Sequence, residues 1–228
     1  MWAGAALFGA SLCWFLYCYL ALWGLPADGA SSWTAIAADT ALFSAFALHH
    51  SLFARTRLKT RVQRLVQPHL ERSVYTWTAS VLFIAVCGFW QPVDGILYRF
   101  PGIWALPGYA TQAAGILLTI RSAAVVDALE LAGVRAVQRG RDPAGLAGTR
   151  LQTHGLYGFV RHPLYFAWLL MVFGTPVMTG TRAAFAILST VYLMIAIPFE
   201  ERGLIDTFGA EYVAYRQRVR WRMVPGLY

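Results

Sequence analysis

Apolar residues run almost unbroken through six stretches of the chain, at about 2–25, 33–54, 73–91, 104–126, 163–179 and 182–199. A helix needs about 20 apolar residues to cross the hydrocarbon core of a bilayer, and the first four stretches reach that length. The fifth and sixth are shorter and are separated only by Thr179-Gly180-Thr181, a spacing that predicts a tight helical hairpin. Beyond Glu201, apolar and aromatic residues from Leu204 through Tyr212 and Tyr215 to Val219 recur near the helical period, and Arg216, Arg218, Arg220 and Arg222 close the run. That pattern predicts an amphipathic helix lying in the membrane interface. The expected fold is therefore all-α: a polytopic membrane helical bundle of about six spans. It forms one integral-membrane domain over 1–228, with spans one to four in 1–126, a cytoplasmic connector over 127–162, and the hairpin and tail in 163–228.

Composition agrees. Of 228 residues, 58% are hydrophobic and 13% charged, with a mean hydropathy of +0.51, which excludes an ordinary water-soluble domain. The net charge of +8 is then a matter of topology. Six basic residues follow the second stretch, six run from Arg121 at the end of the fourth to Arg161 before the fifth, and five follow the sixth, whereas the alternate connections hold only Arg99 and Arg182. Such asymmetry orients a bundle with both termini in the cytoplasm, as a multi-pass protein of the inner membrane. It also accounts for the basic character without a nucleic-acid partner; the expected macromolecular surroundings are membrane lipids. The first stretch lacks a basic leader and reads as a retained anchor. Cys13, Cys18 and Cys87 have no paired or metal-like spacing, so neither a disulfide nor a metal is expected.

Ionisable residues at span ends are costly and mark candidate chemistry. The densest group is His154-Gly-Leu-Tyr157-Gly-Phe-Val-Arg161-His162-Pro163-Leu164-Tyr165, together with Glu200-Glu201 after the sixth stretch. If the hairpin arms are equal, Arg161, His162 and Pro163 lie beside Glu200 and Glu201. Pro163 suits the first turn of a helix, where a missing N–H costs nothing. Cations at that positive end, and carboxylates at a negative carboxyl terminus, each want a counter-charge. Two solutions are open: a structural clasp of arginine on glutamate, or a ligand carrying both signs. S-adenosylmethionine, with a carboxylate, an ammonium and a sulfonium, satisfies the second. Its methyl transfer asks mainly for alignment and exclusion of water. A glycine-rich strand–turn–helix of the kind that holds this cofactor in soluble enzymes does not occur; Gly145 to Gly148 follow no strand.

The run Gly155-Leu-Tyr157-x-x-Val-Arg161-His162-Pro163-x-Tyr165, followed by Glu200-Glu201-x-x-Leu204-x-x-x-Phe208-Gly209-x-x-Tyr212-x-x-Tyr215, resembles the isoprenylcysteine carboxyl methyltransferase and phospholipid methyltransferase superfamily. Leu48-His49-His50-Ser51, Leu70-Glu71-Arg72-Ser73 and Asp127-x-x-Glu130-Leu131-x-Gly133-Val134-Arg135 are similar to its bacterial branch, which includes methanethiol S-methyltransferase. The resemblance implies a cytoplasm-facing S-adenosyl-L-methionine pocket lined by Thr149, Arg150, Leu151, Gln152, Tyr157, His162, Pro163, Leu164, Tyr165, Glu200 and Glu201, with Arg161 among the catalytic residues. It also implies a small or lipophilic methyl acceptor. The prenylcysteine enzymes carry an arginine one turn before the acidic pair, associated with the substrate carboxylate, where this chain has Ala196. That departure and the upstream likeness favour a thiol acceptor over a prenylcysteine carboxylate or a lipid head group.

His49 and Glu71 have two readings, as structural interface residues or as groups that help the acceptor lose its proton. Adjacent histidines are poorly placed to share one metal. Tyr212 and Tyr215 belong either to a lipid anchor or to a lid over an adenine. Two rival classes remain: a membrane reductase that shares an Arg-His-Pro-x-Tyr hairpin, against which Glu200-Glu201 and Thr207-Phe-Gly-x-x-Tyr212 argue, and a non-catalytic membrane protein that keeps only the clasp.

Overall fold

The computed structural model describes residues 2–27, 32–53, 68–126 and 151–228, and they are mostly helical. In chain order the elements are α1 (Trp2–Tyr17), running into a π-helical turn (Cys18–Leu22), α2 (Ser32–Phe53), α3 (Pro68–Phe89), β1 (Ile96–Arg99), α4 (Ala105–Val126), α5 (Pro163–Phe173), β2 (Val177–Thr179), α6 (Gly180–Phe208) and α7 (Ala210–Arg218). Among the described residues three helices are long and apolar enough to cross a membrane, Gly4–Leu22, Gly102–Ser122 and Gly180–Phe208; Ser73–Phe89 and Pro163–Phe173 are shorter apolar helices. The chain is a helical membrane protein.

The carboxyl-terminal hairpin differs from the expected pair of equal arms. Helix α5 stops at Phe173, well short of 179, whereas α6 has 29 residues. Pro176 has no N–H to donate and cannot continue the helix. The following residues form β2, which pairs antiparallel with β1 through Ile96↔Thr179, Tyr98↔Met178 and Arg99↔Val177. An extended residue advances about 3.3 Å against 1.5 Å in a helix, so a few of them replace the missing turns.

The described residues fall in two compact units that the chain enters in alternation: those up to 99, with 126 and 177–188, form the first, and 100–125, 151–176 and 189–228 the second. In the first, α3 packs on α1 and α2. Phe15, Tyr19, Trp23, Phe43, Phe83, Trp90 and Phe185 form an aromatic core, with Phe185 in ring contact with Phe15, Tyr19, Trp23, Phe43 and Trp90. Arg182 binds carbonyls of both the π-helical turn and β2. Its Nε donates to Tyr19 O at 2.9 Å, Nη2 to Leu20 O at 2.8 Å and Nη1 to Val177 O at 2.7 Å. Arg182, expected in a connection, is a buried residue that is 6% exposed. Asp39, buried in α2, accepts the Gln91 N–H on Oδ1 at 2.8 Å, just past the end of α3.

In the second unit α4 and α5 meet backbone to backbone at Gly115. A Cβ there would collide with Met171 N and lie 2.7 Å from Ala167 O, a close approach typical of small residues between membrane helices. Gln112 Nε2 reinforces the contact by donating to Met171 O at 3.2 Å. Trp168 Nε1 on α5 donates to Ser189 Oγ on α6 at 3.1 Å. Gly209, at φ +55°, turns the chain from α6 into α7, a conformation a residue with a Cβ rarely adopts. The turn lays α7 back so that Tyr212, Tyr215 and Val219 form a buried cluster with Leu151, Leu204, Ile205 and Phe208.

Candidate functional site

Residues 161 and 162 lie just before α5 and are held by the tail: Arg161 N donates to Trp221 O at 2.9 Å and His162 N to Arg222 O at 2.7 Å. Pro163 opens the helix, as its missing N–H allows. Although the arms are unequal, their outer ends meet. Arg161 Nε donates to Glu201 Oε1 at 2.6 Å, and its Nη1 donates to Val219 O and Arg220 O, each at 2.8 Å. Arg161 thus pins α6, α5 and the tail together.

Adjacent helical residues point about 100° apart, and the two glutamates take opposite environments accordingly. Glu201 is buried, its side chain 3% exposed; Oε1 faces Arg161 and the Nε2 of His162 at 3.5 Å, while Oε2 lies 3.8 Å from Arg216 Nε and 3.6 Å from Arg222 Nε. The Glu200 side chain is 44% exposed. Its Oε2 accepts the Tyr165 hydroxyl at 2.8 Å and lies 3.6 Å from His162 Nδ1. The His162 ring stacks on Tyr165, with centroids 5.3 Å apart and planes 2° from parallel, while Nε2 is buried and makes no hydrogen bond among the described residues.

The connector joins the same face. Tyr215 Oη donates to Tyr157 O at 2.7 Å, and Leu151 packs on the α7 cluster. Burial raises the Tyr157 phenol above its ordinary range, and the Glu200 carboxylate raises it further. Burial also raises Tyr212, and it pushes Tyr215 up to about 12 despite the opposing influence of Arg161. The Tyr212 hydroxyl, fully buried, makes no hydrogen bond among the described residues. Gln152 is exposed, Pro163 buried, and Leu164 and Ala196 half-buried. Beside Arg161 opens a cavity of about 660 Å³, lined also by Arg216, Arg220, Trp221, Arg222 and Tyr228.

Five of the expected residues, Arg161, His162, Tyr165, Glu200 and Glu201, thus stand in one cluster, with Tyr157 electrostatically coupled to Glu200. His49 belongs to the first unit, where its ring stacks on Tyr75 with centroids 5.7 Å apart; the adjacent His50 Nδ1 lies 2.9 Å from the Tyr75 hydroxyl. Thr149, Arg150 and the side chain of Glu71 lie outside the described residues. Sequence reasoning missed Arg222, Arg216 and the backbone of 219–222 as partners of the cluster. Their signal was present in Arg218-Val-Arg220-Trp-Arg222, but an arginine run beside a membrane reads first as an interfacial anchor.

Fold and site together define a helical membrane protein with a buried Arg161–Glu201 pair and, beside it, an outward Glu200 carboxylate held by Tyr165. Residues 106–211 match the family model described as phospholipid methyltransferase. The chain is 32% identical to the methanethiol S-methyltransferase of Crocosphaera subtropica, over 82% of this chain and 73% of that one. It is 34% identical to methanethiol S-methyltransferase 2 of Bradyrhizobium diazoefficiens, over 85% and 74%. A 73-residue part, 31% of this chain and 37% of the other, is 40% identical to protein-S-isoprenylcysteine O-methyltransferase B of Arabidopsis thaliana. The chain belongs to the methanethiol S-methyltransferase family and is a methyltransferase. No solved structure matches it.

Proposed function

We propose that this chain transfers the methyl group of S-adenosyl-L-methionine to a small thiol, with the cofactor held on the face formed by Glu200, Tyr165, His162 and Tyr157. The observation that carries this reading is the division of labour between the two glutamates. Glu201 is spent on Arg161, whereas Glu200 is oriented by Tyr165 yet open to a ligand. The cofactor fits these residues. An exposed carboxylate suits its ammonium or ribose hydroxyls, and the His162 ring, stacked on Tyr165, backs that carboxylate with its Nδ1.

Bound there, the cofactor supplies a methyl group already activated on a sulfonium. The residues of the chain therefore serve to align reactants and exclude water. Arg161 acts as a positioning residue, because its Nε and Nη1 are engaged in holding Glu201 and the tail. Leu151, Gln152, Pro163 and Leu164, with Arg150, complete the proposed cofactor walls. His49 or Glu71 is proposed to receive the proton that the thiol gives up before its sulfur takes the methyl group. The relatives' names point to methanethiol or a similarly small thiol. The proposed topology is a multi-pass inner-membrane bundle of six spans forming one domain, with both termini in the cytoplasm.

The test is full-length protein in nanodiscs, given methyl-labelled S-adenosylmethionine and, separately, methanethiol, larger thiols, a prenylcysteine, a phospholipid and a quinol. Label in the small thiols is expected. Label confined to prenylcysteine or lipid, or no transfer to any acceptor, overturns the assignment.

A further inference from the structure

The electrostatics of the cavity beside Arg161 do not suit the cofactor. S-adenosylmethionine carries two positive groups and one negative, whereas the cavity is ringed by Arg161, Arg216, Arg220 and Arg222. The Arg216 and Arg222 ion pairs run to a single carboxylate, Glu201, which Arg161 already bonds directly. Their Nε atoms stand 3.8 and 3.6 Å from it, too far for formed hydrogen bonds. Arg220 has no ion pair among the described residues; its carbonyl, not its side chain, meets Arg161. A concave surface with this surplus of guanidinium groups concentrates positive potential and selects an anion. Planar forks in such number match the oxygens of a phosphate.

We propose that this cavity binds the phosphate of an anionic membrane-lipid head group, a site separate from the cofactor face around Glu200. Three further observations commit the occupant to a lipid. The cavity wall includes Trp221 and Val213, both exposed apolar side chains that would meet the upper part of an acyl chain, and interfacial tryptophan is typical at that depth. The cavity lies just past the apolar stretch of α6, whose Val191, Met194, Ile195 and Phe199 are exposed as lipid-facing residues are. Its volume of about 660 Å³ accommodates a head group of ordinary size. The tail thereby becomes a lipid-gripping strap: the Trp221 and Arg222 carbonyls fix Arg161 and His162, and the side chains between 216 and 222 hold the head group.

Intact mass spectrometry of the full-length protein in neutral detergent tests this. Phosphatidylglycerol, phosphatidylcholine and inorganic phosphate are added in separate arms, and cofactor affinity is measured on the same samples. The wild-type chain should retain one phosphatidylglycerol in preference to phosphatidylcholine. The variant Arg220→Gln should lose that preference by about fivefold, with cofactor affinity unchanged. Arg220→Glu, a charge reversal at the same exposed side chain, should lose it more fully. Equal retention of the two lipids, or an undiminished preference in the folded variants, overturns the proposal. Full displacement of the lipid by equimolar inorganic phosphate also overturns it and gives the site to a soluble anion. Lost cofactor binding with intact lipid selectivity would count against the methyl-transfer site alone.

Discussion

At the scale of single residues, the site depends on what each glutamate faces. Glu200→Gln keeps the shape of the side chain and the Tyr165 contact but removes the charge that a cationic ligand needs. Cofactor affinity in nanodisc-embedded protein should fall by about tenfold or more, the scale of one charge-assisted hydrogen bond; titration calorimetry reads it. Tyr165→Phe loses only a neutral hydroxyl donor and should weaken affinity a few-fold. Arg161→Gln belongs to a different class, since it removes the one directly hydrogen-bonded guanidinium partner of the buried Glu201 among the described residues. Removing one partner of a buried pair costs roughly 3–5 kcal/mol, so the variant should melt far below the wild type, and adding Glu201→Leu should recover part of the loss. Arg161, His162, Glu200 and Glu201 were all legible in the sequence, because charges at span ends are conspicuous. Which glutamate would be buried was not, because the choice depends on how α6 is rotated against α5 and the tail.

The hairpin elements show where pattern reading stops. Residues 163–179 are apolar throughout, and an apolar run fixes burial without fixing conformation. Pro176 and the pairing of β2 with β1 decide that the last part is strand, yet the partner is Ile96–Arg99, far away in sequence. The contact of α4 with α5 is similarly tertiary. Gly115→Val would press a branched side chain into the Met171 backbone, which cannot give way as a flexible side chain could. A loss of roughly 1–3 kcal/mol is expected, seen as a lower melting temperature in detergent.

Helix α7 adds a pH dependence. The Tyr215 phenol, ordinarily near 10, is pushed up to about 12 and donates to Tyr157 O. Because its folded value is raised, the stability it contributes is complete below about pH 10 and is lost as pH rises toward about 12. Alkaline titration followed by tyrosinate absorbance should show late ionisation coupled to release of the tail. In Tyr215→Phe that component should vanish.

For the molecule as a whole, the surplus of basic residues on alternate connections predicts where the termini lie. Reporters fused at either end should both be active on the cytoplasmic side; a periplasmic signal from either would reverse the proposed orientation. Arg182 shows why counting charges by connection is only a first approximation. It contributes to the count, but the structure uses it to satisfy the carbonyls of Tyr19, Leu20 and Val177.

Taken alone, the sequence determined the solvent in which this protein folds, its helical class and which charged residues gather where α5 begins and the apolar part of α6 ends. Each of these follows from local composition, spacing and charge. Only the tertiary structure decided that α5 ends early, that Arg161 is consumed in a clasp, and that the arginines after α7 close a cavity rather than merely coat a surface. Those outcomes depend on segments separated by tens of residues arriving side by side. Hydrogen-bond satisfaction and charge pairing among such neighbours select one arrangement from several that the local pattern leaves equally open.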